Sequence, residues 1–168
     1  MHLEHLQQEV GEWSRQNFGD QSHLNPLLGS IEEIGELARA VSYGAKLEDI
    51  EDAIGDAIVY LADFCARRNI SLREAYMVGE RVGGLDDVDW AAEILIAYYY
   101  LVHSELKLEQ GIRLDEPDVG DRATIRAIGY LLIALEGVAH VHGSILEDCI
   151  EEAWGEVSQR EWDSAYIK

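Results

Sequence analysis

Apolar residues recur along this chain at intervals of three and four, the period of a helix with one buried face, and no useful stretch alternates as a strand would. The spacing predicts seven helices. The first runs from about Leu3 to Gln16. The second opens at Asn25-Pro26, a capping residue followed by proline in the first turn, and ends at Gly44. The third spans about Leu47 to Arg68, and the fourth starts at the capping box Ser71-Leu72-Arg73-Glu74. Gly83-Gly84 separates it from the fifth, which runs from Asp89 to about Glu109. The sixth covers about Asp121 to His142. The seventh starts at a second capping box, Ser144-Ile145-Leu146-Glu147, and ends near Glu161. The only prolines are Pro26 and Pro117, so little interrupts this pattern. The expected fold is all-α, a helical bundle in a single domain covering residues 1–168.

The helices also repeat in order: long, long, short, twice over. Ala53-Ile54-Gly55-Asp56 aligns with Ala127-Ile128-Gly129-Tyr130, and apolar character then agrees at Ile58 with Leu132, Leu61 with Leu135, and Cys65 with Ala139. Asn25 falls on Asp89 and Leu37 on Leu101. Matched order in all three elements favours duplication over a chance likeness of amphipathic helices. The expected halves are approximately 1–86 and 87–168.

Composition narrows the class. A hydrophobic fraction of 48% suits a globular chain that buries a core. The longest apolar run, Ile94 to Val102, falls well short of the ~18 residues a membrane helix needs. The start, Met1-His2-Leu3-Glu4-His5, lacks the pattern of a secretion signal. Cys65 and Cys149 form no metal-type pair and are expected as reduced core thiols, which points to a cytoplasmic protein. The net charge of −20 argues against nucleic acid as a partner, since phosphates are repelled and the densest basic cluster is Arg67-Arg68.

Acidic residues inside otherwise apolar helices need a physical reason, because burying a carboxylate is costly. Glu32, Glu33 and Glu36 share one region of the second helix. Asp52 and Asp56 repeat the pattern on the third, just before the apolar stretch Ala57-Ile58-Val59-Tyr60-Leu61-Ala62. A short turn at Gly44 to Lys46 lets the two helices pack antiparallel and face these groups together. A divalent cation relieves the repulsion, and all-oxygen donors select Mg²⁺, with Mn²⁺ possible. A ferritin-like di-iron site would need Glu-x-x-His pairs, and none occurs.

Trp13-Ser14-Arg15-Gln16-Asn17-Phe18-Gly19, Glu32-Glu33-Ile34-Gly35-Glu36-Leu37-Ala38-Arg39 and Asp52-Ala53-Ile54-Gly55-Asp56, in this order, resemble the MazG-like all-α NTP pyrophosphohydrolases. The resemblance covers residues 13 to 75 and returns at Leu106 to Arg113 and at Ala153 to Trp162. The family pattern is Glu-x-x-Glu, a gap, then Glu-x-x-Asp. Glu33, Glu36 and Asp56 match three of its magnesium ligands; Ala53 stands at the fourth, and Asp52, one residue earlier, is the substitute. The resemblance implies hydrolysis of a nucleoside triphosphate to a monophosphate and pyrophosphate. Glu32 or Glu33 is then the base, and Trp13 and Asn17 are candidate base contacts, Trp13 being equally a core residue. Two other readings stay open: a nucleotide-binding pseudoenzyme, and a phosphoribosyl-ATP pyrophosphatase.

The repeat places Glu32, Glu33, Glu36 and Asp56 on Ile96, Ala97, Tyr100 and Tyr130, so the second half reads as a metal-free copy. The expected molecule is a monomer resembling a fused dimer, or a homodimer. Its second half keeps Lys107, Arg113 and Arg160, the candidate phosphate contacts of a composite site.

Overall fold

The computed structural model describes residues 2–82, 89–112 and 120–160. Arg113, Gly83, Gly84 and the chain from Glu161 onward lie outside the described residues. Seven helices and no strands occur among the described residues: α1 (Leu3–Phe18), α2 (Leu24–Tyr43), α3 (Leu47–Arg68), α4 (Leu72–Val82), α5 (Trp90–Glu109), α6 (Asp121–His142) and α7 (Leu146–Val157).

The helix ends follow local chemistry, sometimes against expectation. α2 starts two residues early, at Leu24, with His23 rather than Asn25 as its N-cap. Asn25 does not cap; its amide donates to Gln21 Oε1 at 2.8 Å. Gly44 closes α2 in the left-handed region, with φ 64° and ψ 45°, where a side chain would be strained. Asp89 caps α5 as expected, accepting from Ala92 N–H. The second capping box is not formed. Ser144 Oγ instead donates to Glu51 Oε1 on α3, and α7 begins only at Leu146. Its end at Val157 is four residues short of the expected Glu161.

α3 and α6 form the centre, each with one face wholly buried. α2 lies on α3 and α5 on α6. The short helices cross over: α4 packs mainly on α6, and α7 mainly on α3. Two glycines permit these crossings. A Cβ on Gly55 would fall 2.6 Å from Ala153 Cβ on α7, and one on Gly129 would strike the Ala75 carbonyl and, at 2.9 Å, Gly79 N on α4. These glycines are the pair matched in the repeat. α6 is, by length and composition alone, apolar enough to cross a bilayer, but 56% of that stretch is buried inside the bundle, where a central helix belongs. Cys65 and Cys149 are buried free thiols, and burial pushes both thiols up.

α2 and α5 run side by side in opposite directions. His23 of α2 lies 3.2 Å from buried Glu105 of α5, and further along the Ser30 and Tyr98 hydroxyls are hydrogen-bonded. Glu105 is held by Arg68 Nε at 2.8 Å and by Thr124 Oγ1 at 2.9 Å, so its buried charge is matched.

Candidate metal centre

The α2–α3 hairpin brings the first-half acids into one electrostatic cluster. The Glu33 carboxyl is pushed up to about 7, first by burial and then by Asp56, Glu36, Glu32 and Asp52. Asp56 is pushed up to about 6, by burial and then by Asp52, Glu156 and Glu36, with Arg160 acting against them. Asp52 is raised by burial and by Glu156, again opposed by Arg160. Tyr60 is raised by burial and by Glu33, Asp56 and Glu32. These side chains therefore feel one another, as their spacing on two helices predicts.

The donors are all carboxylate oxygen, which suits a hard divalent cation. Among the described residues, no three acidic, histidine or cysteine side chains stand close enough to hold an ion as they are. Closing on a cation requires the Glu and Asp side chains to change rotamer on fixed helices, which their rotatable bonds allow. Ala53, at the departing position, is buried in the core and offers no ligand.

Beside the cluster lies a cleft of about 500 Å³. Glu32, Asp56 and Arg160 line it, and Trp13, Phe18 and Tyr60 form apolar walls. Trp13 is both packed against the core and open to the cleft. It packs edge-on to Phe18 and Trp154, with ring centres 5.5 and 5.9 Å away, and also faces the cleft. Gly29 of α2 lets the Tyr60 ring lie flat on the helix, since a Cβ there would come within 2.7 Å of the ring. On its other side the cluster borders a smaller hollow of about 310 Å³ lined by Glu36, Asp49, Asp52 and Arg39.

The cleft floor is fixed by a buried network. Ser14 Oγ donates to Asp63 Oδ2 at 2.7 Å, and Arg67 Nε donates to Asp63 Oδ1 at 2.9 Å. Arg67 also donates to Ser14 Oγ and to the Gly19 and Gln21 carbonyls. It thereby ties down the α1–α2 connection that carries Gln21 to the cleft.

Of the candidate substrate contacts, the structure brings Trp13 and Arg160 to the acids. Asn17 instead donates to the Trp13 carbonyl at 2.9 Å and does not line the cleft. Lys107 lies near the end of α5, 3.5 Å from Gln110, and lines neither hollow. Phe18, Gln21, Tyr60, Asp63, Glu156 and Arg39 are site residues that the sequence did not single out. Comparison with known family models, curated proteins and solved structures finds no match to this chain.

The raised Glu33 carboxyl has a pH signature. The folded protein holds that proton up to about pH 7, whereas the ordinary glutamate value is 4.5. Between these values the folded state binds more protons than the unfolded chain, so the group's contribution to stability falls as pH rises. In EDTA, the wild-type melting temperature is expected to fall relative to that of Glu33→Gln across this window. Calorimetry at stepped pH measures it, and parallel curves would contradict it.

Proposed function

We propose that this chain is a Mg²⁺-dependent nucleotide pyrophosphohydrolase, converting an NTP or dNTP and water to the monophosphate and pyrophosphate. The observation that carries the reading is the junction of a carboxylate cluster with an aromatic-walled cleft holding one arginine. Glu33, Glu36, Asp52 and Asp56 are the residues to hold the cation. Mg²⁺ or Mn²⁺, when bound, would neutralise the triphosphate and acidify a water. Glu32, which lines the cleft beside Asp56, would take the proton from a water attacking the α-phosphorus as the α–β anhydride bond breaks and pyrophosphate leaves. Arg160 engages the phosphates, and Trp13, Phe18 and Tyr60 seat the base. With a net charge of −20, the protein admits a triphosphate only as its metal complex.

A second reading, nucleotide binding without turnover, is favoured by the buried Ala53 at a ligand position. A panel of canonical and damaged nucleotides and phosphoribosyl-ATP, with and without Mg²⁺ or Mn²⁺ and scored for pyrophosphate, separates the readings. Binding without pyrophosphate supports the second. Turnover confined to phosphoribosyl-ATP reassigns the substrate.

Arg160→Ala tests the phosphate contact. Losing a charge-assisted hydrogen bond is expected to cost ~1.5–3 kcal/mol, roughly ten- to a hundredfold in kcat/KM. Lys107→Ala, removed from the cleft, is expected to keep wild-type kinetics. Equal losses in both would remove the distinction drawn between them.

A further inference from the structure

A hollow of about 880 Å³, larger than the cleft, opens where α1, α4 and α7 meet. It lies at the opposite ends of two helices that also form the cleft. His5 and Gln8 of α1 and Leu146 and Ile150 of α7 line the hollow, whereas Trp13 and Phe18 of α1 and Val157 of α7 line the cleft. The proposed hydrolysis makes no use of it. Its volume falls in the range of small-molecule sites, ~300–1,000 Å³. One part of the lining is apolar: Leu146 and Ile150 belong to the core, Tyr76 is half-buried and Met77 is exposed. The other part is acidic. Glu4, Glu80 and Glu147 come one from each helix, and Arg73 is the only Lys or Arg of the described lining. Arg73 already faces Glu4, at 3.6 Å. Glu80 and Glu147 have no ion-pair partner among the described residues. The Tyr76 hydroxyl donates to a further acid, Glu136 Oε2, at 3.0 Å. The Tyr76 phenol is pushed up by burial and then by Glu136, Glu80 and Glu147, so these acids converge on its ring.

We propose that this hollow binds an aliphatic polyamine, with its ammonium groups on Glu80 and Glu147 and its methylene chain along Met77, Leu146 and Ile150. The sign of the lining selects a cation over an anion. The form of the lining selects among cations. A hard divalent ion keeps its waters and gains nothing from the apolar part. A quaternary ammonium is held by a cage of aromatic faces, and Tyr76 is the only Phe, Tyr or Trp of the described lining. A polyamine answers both parts at once. Its spaced ammonium groups reach carboxylates carried on separate helices and donate charge-assisted hydrogen bonds to them. Its methylenes cover apolar surface, as the stem of a lysine does. This binding does not depend on the chemistry at Glu33 and Asp56.

Isothermal titration calorimetry of the full chain with spermidine tests it, at ~150 mM salt, where attraction between distant surface charges is screened. The expected result is saturable binding of one spermidine per chain, the same with and without saturating Mg²⁺. Glu80→Gln and Glu147→Gln are each expected to weaken it roughly tenfold or more, while keeping the helical circular dichroism of the wild type. Glu48→Gln and Glu152→Gln remove the same charge from exposed positions outside the lining and are expected to bind as the wild type does. Propylamine, with a single ammonium group, is expected to bind at least about tenfold more weakly than spermidine. Absence of saturable binding overturns the proposal. Equal weakening in all four variants overturns it too, since the spermidine is then a diffuse countercharge to an acidic surface. Displacement of spermidine by tetramethylammonium or Mg²⁺ at comparable concentration reassigns the hollow to a compact cation and overturns it equally.

Discussion

Glu32→Gln and Glu33→Gln are both expected to lower kcat, but only Glu33→Gln should also lose the response to Mg²⁺. Removing a general base costs typically 10²–10⁴-fold in rate. Glu32 lines the cleft with Asp56 and Arg160, where a reacting water would sit. Glu33 is instead pushed up to about 7, first by burial and then by four neighbouring acids, so a cation there would relieve both the burial cost and the repulsion. Saturating Mg²⁺ at 100 times Kd stabilises a binding-competent fold by ~2.7 kcal/mol, or roughly 5–11 °C in melting temperature for a domain of this size. Glu32→Gln should keep that rise. Glu33→Gln and Asp56→Asn should lose most of it, while melting higher than the wild type in EDTA because repulsion is relieved. Kinetics beside thermal shifts with and without Mg²⁺ decide this. A full Mg²⁺ response in Glu33→Gln and Asp56→Asn would rule out a metal site built on these acids.

Asp63→Ala is expected to be the most destabilising single change in the cleft, at about 3–5 kcal/mol. The reason lies in what it leaves behind. Arg67 is buried, and Asp63 is its carboxylate partner at 2.9 Å. Truncating the acid strands a guanidinium away from water. A loss of that size is a large share of the ~5–15 kcal/mol that holds a domain folded. Urea unfolding measures it, and a loss below about 1 kcal/mol, the size of a surface pair, would show that water reaches the network. If the variant folds, KM is expected to rise as well, because Arg67 holds the Gly19 and Gln21 carbonyls at the cleft edge.

The helices were legible in sequence because their apolar period persists over several turns, and because Asp89 and Gly44 carry unambiguous end signals. The acid cluster was legible for the same reason: carboxylates at helical spacing inside apolar stretches repel one another at a cost that a cation removes. What sequence could not supply was non-local. Nothing in α4 or α7 says that each packs on the long helix of the other half; that depends on Gly55 and Gly129, whose partners are distant in the chain. Tyr60 reads as core because it sits in an apolar run, and its place in the cleft wall emerges only when Gly29 admits its ring. Ser144 reads as a cap, but Glu51, far away in sequence, claims its hydroxyl. Lys107 and Arg160 looked equivalent as surviving cations. The turn after α7 carries Arg160 to Asp52 and Asp56, while Lys107 faces Gln110 at the end of α5.

The central claim is that this cluster and cleft hydrolyse a nucleoside triphosphate between its α and β phosphates with a divalent cation. Phosphorus NMR of a reaction mixture tests it most directly, using the best nucleotide from the panel with Mg²⁺ and a matched EDTA control. The expected result is resonances of the nucleoside monophosphate and pyrophosphate growing together with Mg²⁺, and an unchanged triphosphate in EDTA. Growth of diphosphate and orthophosphate instead, or products that persist undiminished in EDTA, would contradict it.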